Sequence, residues 1–258
     1  MRVLALLAAI FSFVPGAWPA SAGEAGRIKW PKSLEIVQGE LIEVRITGAD
    51  LMAAEGRWGQ ERIYFYPDGN GSFTALVGAD VEAKPTRSKF DLKVVRRSGE
   101  EQQTELPVKV KAKSFRTESF KVPPSFDQMT PETLAEIGRE QEAFKRAFAA
   151  PIAERLWEAP FVRPVPHEAS ASSFGSRRII NGTPRAPHSG TDLSAPAGAE
   201  VAAANHGRVV LVGNFFFAGG SVVLDHGGGL FTMYFHLSEI KVEEGWMIKK
   251  GDIVGLSG

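Results

Sequence analysis

The chain has no cysteine, no apolar run long enough to span a bilayer after its first residues, no surplus of either charge and no histidine before residue 167. Each absence closes a class of function. Without cysteine there is no disulfide scaffold, no thiolate zinc finger, no iron–sulfur cluster and no thiol nucleophile, so any metal must be held by His, Asp or Glu. With 30 Lys+Arg against 30 Asp+Glu there is no electrostatic footprint for nucleic acid, and no local basic cluster supplies one. No stretch beyond the leader approaches roughly 18 apolar residues, which argues against a mature transmembrane segment. What is present, 43% hydrophobic residues in 258, suits a globular protein of one large domain or two ordinary ones.

The first residues read as an address. Met1-Arg2 give a positive start, Val3 to Val14 an apolar run, and Ala20-Ser21-Ala22 the small residues of a cleavage site. The expectation is a signal peptide over 1–22, cleaved after Ala22, and an exported protein in the periplasm or at the cell wall. No cysteine adjoins the cleavage site, which argues against a lipid anchor. An uncleaved N-terminal anchor is the alternative.

From Ser33 to Lys111 apolar and polar residues alternate. Ile42, Val44 and Ile46 interleave with Glu43, Arg45 and Thr47, and Val108 and Val110 with Lys109 and Lys111. Turn signals at Gly48-Ala49-Asp50, Asp68-Gly69-Asn70-Gly71 and Arg97-Ser98-Gly99-Glu100 space these runs as about seven short strands. An immunoglobulin-like β-sandwich over 23–112 is expected. It contains no histidine and is assigned no chemistry. A linker over 113–158 follows, with a helix near 131–148. Thr130 suits its cap, Pro131 its first position and Glu132 its positive end, while Leu134, Ile137, Phe144 and Phe148 share a face. Such a helix packs between domains or covers a groove.

From residue 159 short β-runs separated by glycine predict a second, antiparallel β-domain over 159–258. Its strands fall at Val201-Ala204, Arg208-Val212, Ser221-Leu224, Leu230-Phe235 and Met247-Ile248, with turns at Gly213-Asn214, Asp225 to Gly229 and Lys250-Gly251-Asp252. All five histidines, 167, 188, 206, 226 and 236, lie in it. The fold class is therefore all-β with one connecting helix.

The chemistry concentrates in His188-Ser189-Gly190-Thr191-Asp192. An imidazole and a carboxylate four residues apart, with a glycine between them to free the backbone, can turn toward one point. That donor pair suits zinc, and a catalytic zinc takes a third protein ligand and keeps a position open for water. Alone, the string is also compatible with a loop histidine beside a solvated aspartate. His206 and His226, both next to glycine, read as exposed loop residues, and His167 as part of the approach segment. Phe215-Phe216-Phe217 suits a substrate rim or packing against the helix.

The string stands in register with Gly207-Arg208-Val209-Val210, Asp225-His226-Gly227, Thr232-Met233-Tyr234-Phe235-His236-Leu237-Ser238 and the closing Gly251-Asp252-Ile253-Val254-Gly255 to Gly258. This order and spacing, over about residues 160–258, resembles the lysostaphin-like, or LytM-type, zinc metallopeptidases of bacterial peptidoglycan. The resemblance implies a lysostaphin-like (duplicated hybrid motif) β-domain, a Zn2+ cofactor, peptidoglycan as partner and metal-assisted hydrolysis of its peptide bonds. It places the first two zinc ligands on His188 and Asp192, and on His236 the histidine that stands beside the metal and assists at the attacked carbonyl. Arg177 and Tyr234 are candidate substrate contacts, Arg177 being also compatible with an ordinary surface arginine.

The chain departs from the family in one respect. The family's third ligand and second active-site histidine come from a His-x-His pair after the Gly-x-x-Gly run, and the 258 residues contain no His-x-His. The expectation is a chain cut short of that pair, from a metalloendopeptidase active in its full-length form. These residues alone are then expected to bind zinc weakly and hydrolyse little. The alternative is a catalytically inactive relative that binds the cell wall or activates other hydrolases. Specificity lies in groove shape, so glycine bridges, D-alanyl-diaminopimelate links and stem-peptide bonds all remain open as targets.

Overall fold

The period-two segments of the first third become strands whose apolar side chains meet across two sheets. A computed structural model describes residues 27–69, 71–123, 129–166 and 173–258; the expected leader lies outside them. One sheet orders β1 (Leu34–Val37), β8 (Glu101–Lys111), β7 (Arg87–Arg96), β3 (Leu51–Trp58) and β4 (Glu61–Tyr64) side by side, with β1 parallel to β8 and the other pairs antiparallel. The other joins β2 (Leu41–Thr47), β6 (Ser72–Gly78) and β5 (Tyr66–Pro67). Val44, Ile46, Phe73 and Val77 from one sheet and Phe90, Leu92, Val94 and Val108 from the other form one buried cluster. Each such side chain contributes roughly 1.5–3 kcal/mol by leaving water.

The segment that reads as linker holds more structure than its composition suggests. β9 (Thr117–Phe120) pairs in parallel with β10 (Arg177–Ile180), which turns through Asn181-Gly182 into β11 (Thr183–Pro184). Both turn residues have positive φ, as a two-residue hairpin requires. The helix α1 spans Pro131–Ala149, and Thr130 Oγ1 accepts from Thr133 N at 3.2 Å as the cap. None of its residues is fully buried. It rests on the C-terminal domain through aromatic contacts, Phe144 on Phe215 at 4.9 Å and Phe148 on Phe231 at 5.0 Å between ring centroids.

The C-terminal sheet orders β12 (Glu200–Ala202), β17 (Ile253–Ser257), β15 (Phe231–Ile240), β14 (Gly219–Asp225), β13 (Gly207–Phe215) and β16 (Met247–Ile248), every neighbouring pair antiparallel. Val201, Val209, Val222, Leu224, Tyr234 and Val254 pack on its buried face. The turn expected at Gly213-Asn214 is instead the end of β13. Asn214 pairs with Gly220 and Phe215 with Gly219, so the ladder runs on until Phe215 reaches the helix.

Where β14 ends, the chain is fastened to the segment after the helix. Asp225, fully buried, accepts from Ile152 N at 2.7 Å and from Gly227 N at 2.8 Å, and Leu156 N donates to His226 O at 2.9 Å. Nearby, the Tyr66 ring of the sandwich meets Trp157 edge to face at 6.4 Å. Burial first, and the Asp225 carboxylate second among its causes, push the Tyr66 phenol up to about 12. Gly227 has φ +87°, and a Cβ there would stand 1.8 Å from the Glu154 carbonyl oxygen, a backbone atom that cannot swing aside. Gly227→Ala is therefore expected to lower stability by about 2–4 kcal/mol, combining left-handed strain with a backbone clash. A chemical denaturation midpoint unchanged by the substitution would contradict this packing.

Candidate functional site

The candidate site is built outward from β10. Its pairing with β9 fixes Arg177, whose N–H donates to Arg116 O at 2.7 Å, and Ser176, buried beside it. His188 is then docked by two backbone bonds: its N–H donates to Ser176 O at 3.0 Å, and its carbonyl accepts from Gly175 N at 2.7 Å. Gly175 has φ +78°, and a Cβ there would fall 2.2 Å from the Phe115 ring, so only glycine lets this loop lie against the chain leaving the sandwich.

Within this frame the two predicted ligands converge. His188 Nε2 stands 3.3 Å from Asp192 Oδ1, with the imidazole mostly buried and the carboxylate largely exposed. Two atoms bound tetrahedrally to one zinc at about 2.0–2.1 Å are about 3.3 Å apart, so the separation fits a shared ion. The donor types fit as well. The reason expected for Gly190 does not hold: it is not among the residues with positive φ, and a Cβ there would meet His188 Nε2 at an ordinary 3.9 Å. Its neighbours would tolerate a side chain.

Among the described residues no group of three His, Cys, Asp or Glu side chains is placed to hold a metal. His236 lies in β15, exposed, with φ +56°; its N–H donates to Ala218 O at 2.8 Å and its carbonyl accepts from Gly258 N at 2.9 Å. Left-handed backbone at a non-glycine residue costs on the order of 1–3 kcal/mol and gathers at functional positions. Arg177 is exposed at the start of β10. Tyr234 is a correction. It is buried in the sheet core, and its hydroxyl accepts from Ala204 N at 2.7 Å and from Thr232 Oγ1 at 3.0 Å, which withdraws it from any substrate surface.

The remaining histidines divide. His167 lies outside the described residues. His206 is half-exposed, 3.5 Å from Glu158 Oε1, and accepts from Lys250 N at 3.2 Å. His226, expected at the surface, is fully buried, its Nδ1 2.6 Å from His206 O and its Nε2 2.7 Å from Thr232 Oγ1. The glycines after it carry the turn while its ring faces inward. Of the three phenylalanines, Phe215 packs on the helix, while Phe216 and Phe217 remain exposed and meet edge to face at 5.0 Å.

Residues 186–258 match the sequence profile of Peptidase family M23. Residues 186–258 are an M23 peptidase domain within the C-terminal β-domain. The chain is similar to the peptidoglycan DD-endopeptidase ShyA of Vibrio cholerae, with 43% identity over 89 residues, covering 34% of this chain and 21% of that protein. It is similar also to ShyB of the same organism, a peptidoglycan DD-endopeptidase, with 36% identity over 88 residues and coverage of 34% and 21%. The chain thus spans about a fifth of the length of these curated relatives. Across most of its length it superposes on a crystal structure of a peptidase M23 protein from Pseudomonas aeruginosa, with a TM-score of 0.63, 25% identity, and coverage of 85% of this chain and 82% of that one. The shared fold includes more than the M23 domain.

One residue beside the candidate pair escapes sequence reading. Ser173 Oγ lies 2.8 Å from His188 Nδ1 and 2.7 Å from Asp192 Oδ2. A serine fifteen residues before His188 carries no periodic or motif signal, and only the fold brings it near. Among the histidines, burial above all holds His226 below its ordinary value of 6.5, against the raising effect of its bond to His206 O. The unfolded chain then binds the proton more readily than the native one, so the stability this group contributes is complete above pH 6.5 and is lost as pH falls toward the native pKa. NMR titration should show the His226 ring protonating below 6.5, with the melting temperature falling over that interval. A His226 pKa at or above 6.5 would contradict its burial.

Proposed function

We propose that the M23 domain is a zinc-dependent endopeptidase that hydrolyses peptide bonds of bacterial peptidoglycan, in an exported protein acting in the periplasm or at the cell wall. The observation that carries this reading is the 3.3 Å approach of His188 Nε2 to Asp192 Oδ1 within a family M23 domain. The relatives that share this region, ShyA and ShyB, are peptidoglycan DD-endopeptidases. No described helix is long and apolar enough to cross a membrane.

His188 and Asp192 would supply two of the protein ligands. Zinc, when bound, polarises a carbonyl and makes hydroxide available at neutral pH. The chain's own residues do the rest. His188 presents a nitrogen from a ring mostly shielded from water, whereas the Asp192 carboxylate stays open to solvent, so the site faces outward where a polymer can reach it. His236, exposed on β15, is suited to hold a proton or to donate a hydrogen bond to the oxygen that gains charge during attack. Arg177, exposed on β10, offers a fork for a carboxylate of the peptide stem.

A noncatalytic cell-wall binding or hydrolase-activating role is the second reading, favoured by the lack of a third metal donor near His188 and Asp192 among the described residues. Incubation of the full-length form with isolated peptidoglycan separates the two. The enzyme reading predicts release of soluble muropeptides that stops with a chelator and resumes with zinc. His188→Ala should reduce release by roughly a hundredfold or more, and His236→Ala by about 10²–10⁴-fold without removing the metal. Release that survives both chelator and His188→Ala would contradict the zinc mechanism, and retention on peptidoglycan with no release would establish the second reading.

A further inference from the structure

Proton counting around Ser173 defines the state of His188. The serine oxygen is 2.7 Å from Asp192 Oδ2 and 2.8 Å from His188 Nδ1, both hydrogen-bond distances, yet it has one proton to give. An ionised carboxylate cannot donate, so the bond to Asp192 must use the serine proton. Ser173 Oγ then accepts from His188, whose Nδ1 must carry hydrogen. The opposite arrangement, with the hydroxyl donated to Nδ1, would leave two oxygens 2.7 Å apart with no proton between them. The ordered chain Nδ1–H to Oγ–H to Oδ2 leaves Nε2 as a bare lone pair in the neutral ring. That atom is the one 3.3 Å from Asp192 Oδ1.

From this geometry we infer that Ser173 is a positioning residue for the metal ligands: by bridging His188 Nδ1 and Asp192 Oδ2 it fixes the imidazole as the Nδ1–H tautomer and turns one carboxylate oxygen toward the free Nε2. This inference rests on the reading of His188 and Asp192 as ligands. The serine occupies a defined place, because its carbonyl accepts from Ser176 N at 3.0 Å and the same turn docks His188 through Ser176 and Gly175. The three groups do not form a nucleophilic relay. There the imidazole separates hydroxyl from carboxylate, whereas here Ser173 reaches Asp192 directly. Partners outside the metal's own ligands set tautomer and orientation, and their loss typically weakens metal affinity 10–100-fold.

The test uses the intact protein and zinc. Nitrogen-15 NMR of the metal-free protein, at a pH where His188 is neutral, should show its Nδ1–H tautomer. Ser173→Ala should shift that population toward Nε2–H and weaken zinc affinity, measured by competition with a chromophoric chelator, by about 10–100-fold. Ser173→Thr, which keeps the hydroxyl, should restore both. Wild-type His188 in the Nε2–H form, or Ser173→Ala binding zinc as tightly as wild type, would overturn the assignment of Ser173. Failure of the wild-type protein to bind zinc would instead overturn the ligand reading beneath it. The tautomer measurement needs no substitution, so it decides the matter even if Ser173→Ala fails to fold.

Discussion

His188 stands where it does because β9 and β10 pair in parallel. That pairing joins residues 117–120 to residues 177–180, and the backbone bonds that dock His188 hang from it. Ser176 ends the loop that β10 anchors, the Ser176 and Gly175 backbones dock His188, and Ser173 emerges from the same turn. β9 is in turn held to the sandwich: Lys113 N donates to the side chain of Gln38 at 2.9 Å, and the Phe174 ring lies over Gly39. The N-terminal module, to which the sequence assigns no chemistry, thereby contributes to the placement of His188.

The sheet has a separate anchor. Buried polar groups are favourable only when their hydrogen bonds are complete, and each partial network is costly in a low-dielectric interior. At the end of β14 the bonds are made: Asp225 caps two backbone N–H groups, and the His226 ring is bonded at both nitrogens, through Thr232 to Tyr234 and so to Ala204 N. These bonds tie the strands to the segment that follows the helix. The helix itself is attached through ring contacts and by Glu140, which accepts from Phe216 N at 2.8 Å. One end of the M23 domain is therefore specified by polar geometry, and the face beneath the helix by aromatic shape.

Local features were the legible ones. Alternation at Ile42–Ile46 and Val108–Val110 and the cap at Thr130-Pro131 depend on residues adjacent in sequence, and each appears in the fold where its pattern predicts it. Nonlocal features were hidden. Nothing in Thr117–Phe120 announces a parallel partner at Arg177–Ile180, so the segment reads as linker. His226 sits among glycines and reads as exposed because a glycine-rich turn says nothing about which way its first side chain faces. Tyr234 lies two residues from His236, so alternation alone would put both on one face; the bulge of β15 against β14, between Tyr234 and Leu237, instead leaves Tyr234 in the core and His236 facing solvent. Of the candidate site, the His188 and Asp192 pair was picked out by the resemblance to the LytM-type metallopeptidases, its spacing alone being compatible with a loop histidine beside a solvated aspartate. Ser173 was not, since its role comes from a hydroxyl whose two partners lie 15 and 19 positions away.

The claim on which the functional account turns is that His188 and Asp192 bind one metal ion together. X-ray absorption at the zinc edge of the loaded protein tests it without reference to any substrate. The account predicts an inner shell of nitrogen and oxygen at about 2.0–2.1 Å, with the multiple-scattering signature of imidazole, and a reduction of that signature in His188→Ala. A zinc environment identical in wild type and His188→Ala would contradict it.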